Sequence, residues 1–374
     1  MQLNKNTKRK LALAIAAAIP AMSAGQAFAA NNPIATGDLV VYQIGSSASD
    51  TASTSFSSLV IGELTTVVSQ TSFVQSWDAS TQTNPLWSSN AASTGSLALS
   101  DNATEITFNG YGATASTETN VLNRGAGVIS LAGVYSQPVN YTGTATNQAR
   151  SAFSPDGSNF YLGDKGGLYY NAGTAALTGS INSRSVKGFG GTTYDLTASS
   201  TAGVGVVQSV SPATPANTTV TLTTPNGIVN DNNAVDFYMV SSQNNGVYDT
   251  LYYTDTTVGG IVKYGLQSGT WTAEGTDTTP GATIWGIAAQ QVPGGVNLFY
   301  TTSAQTAAGS QVFEVEDTSG QSGSLTNLTG TVIYTAPTGD SLRGLVLVPE
   351  PASFGLMLMG GSLLALRRRR APTA

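Results

Sequence analysis

Short runs of alternating or uniformly apolar residues, broken by clusters of Gly, Asn, Asp and Ser, fill the chain from Thr36 to about Val348. No apolar period of 3.6 is sustained there, so the pattern predicts strands and turns rather than helices. The clearest strand candidates are Leu39 to Ile44, Ser96 to Ser100, Glu105 to Phe108, Gly127 to Leu131, Asn159 to Leu162, Gly167 to Tyr170, Gly205 to Val210 and Thr218 to Thr223. They continue with Ala234 to Val240, Thr250 to Thr254, Gly260 to Tyr264, Thr283 to Ala289, Val296 to Thr301, Gln311 to Glu316 and Gly330 to Tyr334.

Some of these runs recur as a unit. Arg150 to Leu162 followed by Gly166 to Tyr170 reads as strand, turn, strand, strand, with Asp156-Gly157 supplying the positive φ of a tight turn. The same order returns as Val235 to Val240, Thr250 to Asp255 and Gly259 to Tyr264, and again as Ile284 to Ala289, Val296 to Thr302 and Gln311 to Glu316. Equivalent positions such as Leu251 and Leu298 lie 47 residues apart, within the range of β-propeller blades. Dividing the roughly 310 residues of the body by a typical blade of about 45 predicts seven blades. The last run, Asp340 to Val348, is a lone inner strand, so Asp38 to Ile44 is expected to complete its blade and close the ring. A β-sandwich or β-solenoid is the rival architecture.

Composition sharpens the function classes. The chain has 42 Gly and 15 Tyr but only 10% charged residues, and neither Cys nor His. Disulfides, Cys/His zinc sites, Cys nucleophiles and His-dependent triads are thereby excluded. Four of the 15 basic residues lie in the first ten positions and four more are Arg367 to Arg370. The seven between them face all 21 acids, leaving the body at −14, which disfavours nucleic acid and anionic lipid and suits solubility, neutral glycans or divalent cations.

Few residues suggest chemistry. Glu314, Glu316 and Asp317 form a carboxylate cluster on one strand, with Glu314 and Glu316 sharing a face, a set that glycosidic acid/base chemistry would use if the carboxyls converged. Solvated edge charges are the simpler reading. Asp231 and Asp236, around Asn230-Asp231-Asn232-Asn233, are weak calcium candidates because they offer hard oxygens without the EF-hand spacing. Trp77, Trp87, Trp271 and Trp285 suit sugar stacking or core packing. Asn102, Asn140, Asn217 and Asn327 head glycosylation-type sequons that a chain so rich in Asn and Thr produces by chance. No cofactor is expected, and no enzymatic activity.

The two ends carry the strongest signals. Residues 1–29 run from Lys5, Lys8, Arg9 and Lys10 through an apolar stretch to Ala27-Phe28-Ala29, a secretory signal expected to be cleaved after Ala29, with Ala27 and Ala29 in the peptidase pockets. Residues 349–370 run from Pro349-Glu350-Pro351 through the apolar segment Ala352 to Leu366 into Arg367, Arg368, Arg369 and Arg370, followed by the tail 371–374. The apolar segment is short for a span of about 20 residues, so it predicts a short transmembrane helix with the arginines on the cytoplasmic side.

In its order of parts, this tail resembles the PEP-CTERM sorting signal of Gram-negative bacteria, read by the membrane protease exosortase. A fainter likeness extends to PEP-CTERM proteins with a propeller-like exported domain, here residues 30–348. The resemblance implies signal peptidase and an exosortase-like protease as partners, transient membrane residence, and delivery to the cell surface or extracellular matrix in an exopolysaccharide or biofilm setting. The expected role is structural or binding, with extracellular polysaccharide as a partner and nucleic acid excluded. The alternatives are a secreted polysaccharide-active enzyme and a calcium- or glycan-binding propeller.

Overall fold

The computed structural model describes residues 31–350, apart from 48–49, 53–55, 90–93, 115–119, 179–180, 199–204, 213–218, 243–245, 279–282, 303–308 and 327. The signal segment and the apolar and arginine-rich parts of the tail lie outside the described residues, and with them the expected transmembrane helix. Among the described residues no helix is long and apolar enough to cross a membrane.

The body is all-β, and the one named helical element among the described residues is a 3-10 turn at Ala79–Thr81. Four small antiparallel sheets follow one another along the second half of the chain. The first joins β9 (Ala149–Phe153), β10 (Tyr161–Asp164) and β11 (Gly167–Tyr170). The second joins β12 (Ser183–Phe189), β13 (Thr192–Thr197), β14 (Val207–Ser211) and β15 (Thr221–Thr223). The third joins β16 (Ala234–Val240), β17 (Thr250–Asp255), β18 (Gly260–Gln267) and β19 (Thr270–Asp277), and the fourth β20 (Ile284–Val292), β21 (Gly295–Thr302), β22 (Gln311–Asp317) and β23 (Thr331–Thr335). Leu251 and Leu298 occupy equivalent second strands, as their spacing implies.

The N-terminal part instead builds one curled nine-stranded sheet. It contains β1 (Leu39–Ile44), β2 (Ser57–Leu64), β3 (Gln75–Asp78), β4 (Trp87–Ser88), β5 (Leu97–Leu99), β6 (Glu105–Tyr111), β7 (Asn123–Ser130) and β8 (Tyr135–Thr142), with the C-terminal β24 (Ser341–Leu347) at its edge. The short β4 pairs with both β2 and β6 and so fuses what would be two separate fans, β24-β1-β2-β3 and β5-β6-β7-β8. The count is therefore four separate blades plus this curled sheet, not seven. The estimate failed because it counts residues per blade, whereas β4 joins two four-stranded fans into one sheet.

Ring closure is as expected. β1 lies antiparallel to β24, with Leu39 opposite Leu347 and Ile44 opposite Ser341, so the two ends of the body are hydrogen-bonded neighbours. Beyond the strands, the Gly37 amide donates to the Val348 carbonyl at 2.8 Å and the Val348 amide to the Asp38 carbonyl at 2.9 Å.

Most of the core lies between sheets. Leu39, Val41 and Leu345 pack on Phe299 and Ile333 of the fourth small sheet, Phe237 and Leu251 on Leu196 and Val207, and Tyr252 and Ile261 on Leu298 and Val315. Each of these side chains is almost wholly buried, a burial of the kind that contributes roughly 1.5–3 kcal/mol per large residue. Buried ion pairs reinforce two of the joints. Arg124 meets Asp164, which also accepts from the Tyr141 hydroxyl at 3.0 Å. Lys263 meets Asp317 at 2.8 Å, with the Tyr252 hydroxyl donating to the same carboxylate at 2.6 Å.

Candidate functional site at the mouth of the ring

Strands β5, β9, β12, β16, β20 and β24 are the inner strands, packed side by side around the axis. Their spacing there is set by glycine. A Cβ on Gly344 would lie 2.4 Å from the Leu97 amide nitrogen and 2.6 Å from the Gly95 carbonyl, and one on Gly286 would lie 2.7 Å from the Gly344 Cα. Backbones in such contact leave no channel. The axial gap bounded by Ser96, Asp236, Trp285 and Arg343 is only about 10 Å³, room for a single water at most.

Polar side chains of the inner strands fill what the backbones leave. Asp236 Oδ1 accepts from Ser185 Oγ at 2.6 Å and pairs with Lys187 Nζ at 2.9 Å, while Oδ2 accepts from Lys187 Nζ at 3.0 Å and from the Ile287 amide at 3.2 Å. Lys187 also donates to the Ile287 carbonyl at 3.3 Å. Burial pushes the Lys187 amine down, against the opposing pull of the Asp236 carboxylate. Arg343, 2% exposed, lies flat on the Trp285 ring at 3.9 Å, and burial lowers it to about 9. This is a wedge of charge buried at the axis, tying β12, β16 and β20 together.

Above that wedge the ring opens. The C-terminal ends of β5, β12, β16 and β24 diverge around a cavity of about 230 Å³. One wall is aromatic: Phe189 meets Tyr238 edge-on at 5.2 Å and 77°, and Tyr248 at 5.5 Å. The other is Leu97, Leu99, Asp101 and Val346, with Pro349 at the rim. Asp101 is exposed and overhangs Gly188, where a Cβ would stand 3.2 Å from its Oδ1. Burial raises the Tyr248 phenol, and the Asp101 charge adds to the shift.

The residues singled out in the sequence are scattered. Asp231 and Asp236 share no site. Asp236 is spent on Lys187, whereas Asp231 accepts from the Asn233 amide and from the Tyr253 hydroxyl and lies beside Asp255, whose carboxyl is raised mainly by burial and then by Asp231. Among the described residues no cluster of three or more acidic groups is arranged to hold a metal ion. Glu314 and Glu316 share the less buried face of β22 as alternation implies, with Glu314 accepting from Asn297 Nδ2 at 2.9 Å, but Asp317 is turned into the Lys263 pair. The three carboxyls do not converge. Trp77 and Trp271 are core residues at 2% and 6% exposure, Trp77 donating to the Gly133 carbonyl. Asn102 caps its own turn through Ser100 and Thr104, Asn140 accepts from Gln137, and Asn217 and Asn327 lie outside the described residues. Pro349 and Glu350 are exposed at the end of the seam, and Pro351 with Arg367 to Arg370 lies outside the described residues, as do Ala27 and Ala29.

The mouth escaped the sequence reading because its members come from distant places in the chain, Lys187 and Tyr238 from strands β12 and β16 and Asp101 and Tyr248 from connections. The signal was nonetheless present: Ser183, Ser185 and Lys187, like Asp236 and Tyr238, put polar groups at period two on strands whose both faces are buried.

Fold and mouth together define a propeller-like β-protein with a tightly packed axis, a cavity at its mouth and a seam made from its two ends. The chain further carries a PEP-CTERM protein-sorting motif, matched over residues 347–370, and so has the tail of an exported protein handled by exosortase at the membrane. No curated protein matches the sequence. Solved structures of similar arrangement include a putative 6-phosphogluconolactonase from Bacteroides fragilis, at 12% identity and TM-score 0.45, covering 79% of this chain and 81% of that one. The periplasmic gluconolactonase PpgL of Pseudomonas aeruginosa shows 11% identity and TM-score 0.41 over 83% of this chain and 100% of that one. A chain from a nidogen/laminin complex shows 10% identity and TM-score 0.40 over 83% and 98%.

Proposed function

We propose that this protein is a non-enzymatic component of the cell surface or extracellular matrix, exported behind a signal peptide and released from the inner membrane when exosortase processes its tail. The observation that carries this reading is the join between body and motif. β24 ends at Leu347, and after the buried Val348 the motif opens with Pro349 and Glu350, both exposed at the rim of the ring. A protease can therefore reach the motif and remove everything after it without touching the seam.

The non-enzymatic part rests on the dispersal of the carboxyls and the sealed axis. A setting in extracellular polysaccharide agrees with the acidic, weakly charged body. Intact-mass measurement of the protein from its native host is expected to find residues 352–374 missing or altered; a full-length C-terminus on the surface-located protein would overturn the reading. Glu350→Ala is expected to leave the protein in the membrane fraction, and unchanged release would show that this motif is not what the protease reads.

A further inference from the structure

We infer that the mouth cavity is a binding site for a single neutral sugar ring. This deepens the reading of a surface protein in a polysaccharide setting by naming what the body would hold there.

The argument begins with size. At about 230 Å³ the cavity falls below the roughly 300–1,000 Å³ of drug-sized sites, so it suits one small ring rather than an extended ligand. Its chemistry is two-sided. Tyr248, half-buried and backed by Phe189 and Tyr238, offers aromatic surface to the C–H face of a pyranose, and the exposed Asp101 carboxylate beyond Gly188 offers two acceptors to ring hydroxyls. Burial pushes the Tyr238 phenol up to about 12, so at this wall it stays a neutral hydroxyl.

Charge narrows the class further. An anion would meet Asp101, and the one cation in the lining, Lys187, is already paired with Asp236 and donates to the Ile287 carbonyl. A cation has no better place. The Lys187 ammonium already sits 5.8 Å over the Tyr238 ring and 6.0 Å over the Phe237 ring, occupying the aromatic face that would otherwise attract one. A wholly apolar ligand would strip water from the Asp101 carboxylate without replacing it. A neutral polyol ring with one apolar face meets none of these objections.

The test uses the full-length chain purified in a sugar-free detergent and the methyl glycosides of glucose, galactose and mannose, with glucuronate and choline as competitors, followed by saturation-transfer NMR and titration calorimetry. At least one neutral glycoside is expected to bind, with glucuronate and choline at least about tenfold weaker, a difference of about 1.4 kcal/mol. Tyr248→Ala and Asp101→Asn, both at half-exposed or exposed positions, are each expected to weaken binding by about tenfold, while Tyr248→Phe, which keeps the ring, stays within about threefold. Absence of neutral-sugar binding by the folded protein overturns the proposal. So does equal affinity in both weakened variants, or a preference for glucuronate or choline. Because the measurement is made on purified protein, an unprocessed tail in the native host would sink the sorting reading and leave this one standing, and the reverse holds too.

Discussion

Asp195 is wholly buried with only the Ser183 hydroxyl, at 2.6 Å, donating to it, and burial pushes its carboxyl up to about 8. Asp340 is raised to about 7 by burial and the Asp50 charge, and Asp38 to about 6 by burial and Glu63. Each of these carboxyls holds its proton more tightly folded than unfolded, so the folded state binds more protons between about pH 4 and 8 and stability falls as pH rises through that window. The lowered arginines act above about pH 9, where they make stability rise with pH, outside that window. The melting temperature is thus expected to be higher at pH 5 than at pH 8, and Asp195→Asn to flatten the difference; a melting temperature that climbs with pH would contradict the assignment. Asp236 teaches the complementary lesson about charge. Next to an Asn/Asp turn it reads as a calcium ligand in the sequence, because nothing local reveals that Lys187, 49 residues away, will neutralise it. Lys187→Met strands that carboxylate and is expected to cost about 3–5 kcal/mol in denaturant unfolding, much of it recovered when Asp236 is also made apolar.

Among the elements, those with ordinary patterning were legible. Leu39–Ile44, Gly167–Tyr170 and Ala234–Val240 have the limits that their apolar runs imply, and Gly157 takes the positive φ, +79°, required of its turn. The strands that escaped have physical reasons to look unlike strands. β8 (Tyr135–Thr142) contains Pro138 and is tolerated because it is an edge, paired only with β7. β12 turns Ser185 and Lys187 toward the axis, reversing the usual inward apolar face. β2, Ser57–Leu64, is buried along its whole length and so carries no alternation at all. The axis itself depends on β24 lying against its neighbours with no side chain between. Gly344→Ala would drive a methyl into the Gly95 and Leu97 backbone and is expected to lose at least about 1–3 kcal/mol, read as a lowered denaturation midpoint, whereas the same change at Gly294, which has open space around it, carries only the strain of its positive φ.

For the whole molecule, the sequence revealed the strand-rich class, the recurrence at 47 residues and the closure of the ring by its two ends, all of which depend on local pattern. Blade number did not emerge, because β4 is two residues long and welds two fans into one sheet, a contact that no local pattern encodes. The pairing of β1 with β24 has a consequence in time. On the proposed route, with the N-terminus exported first, Leu39 to Ile44 reaches the outside before its partner and keeps an open edge until Ser341 to Leu347 has followed. The strand that closes the ring is also the last before Pro349, so completion of the fold and arrival of the sorting motif at the outer face are one event. On that route, a chain whose translocation stalls before its final strand never shows the protease its motif.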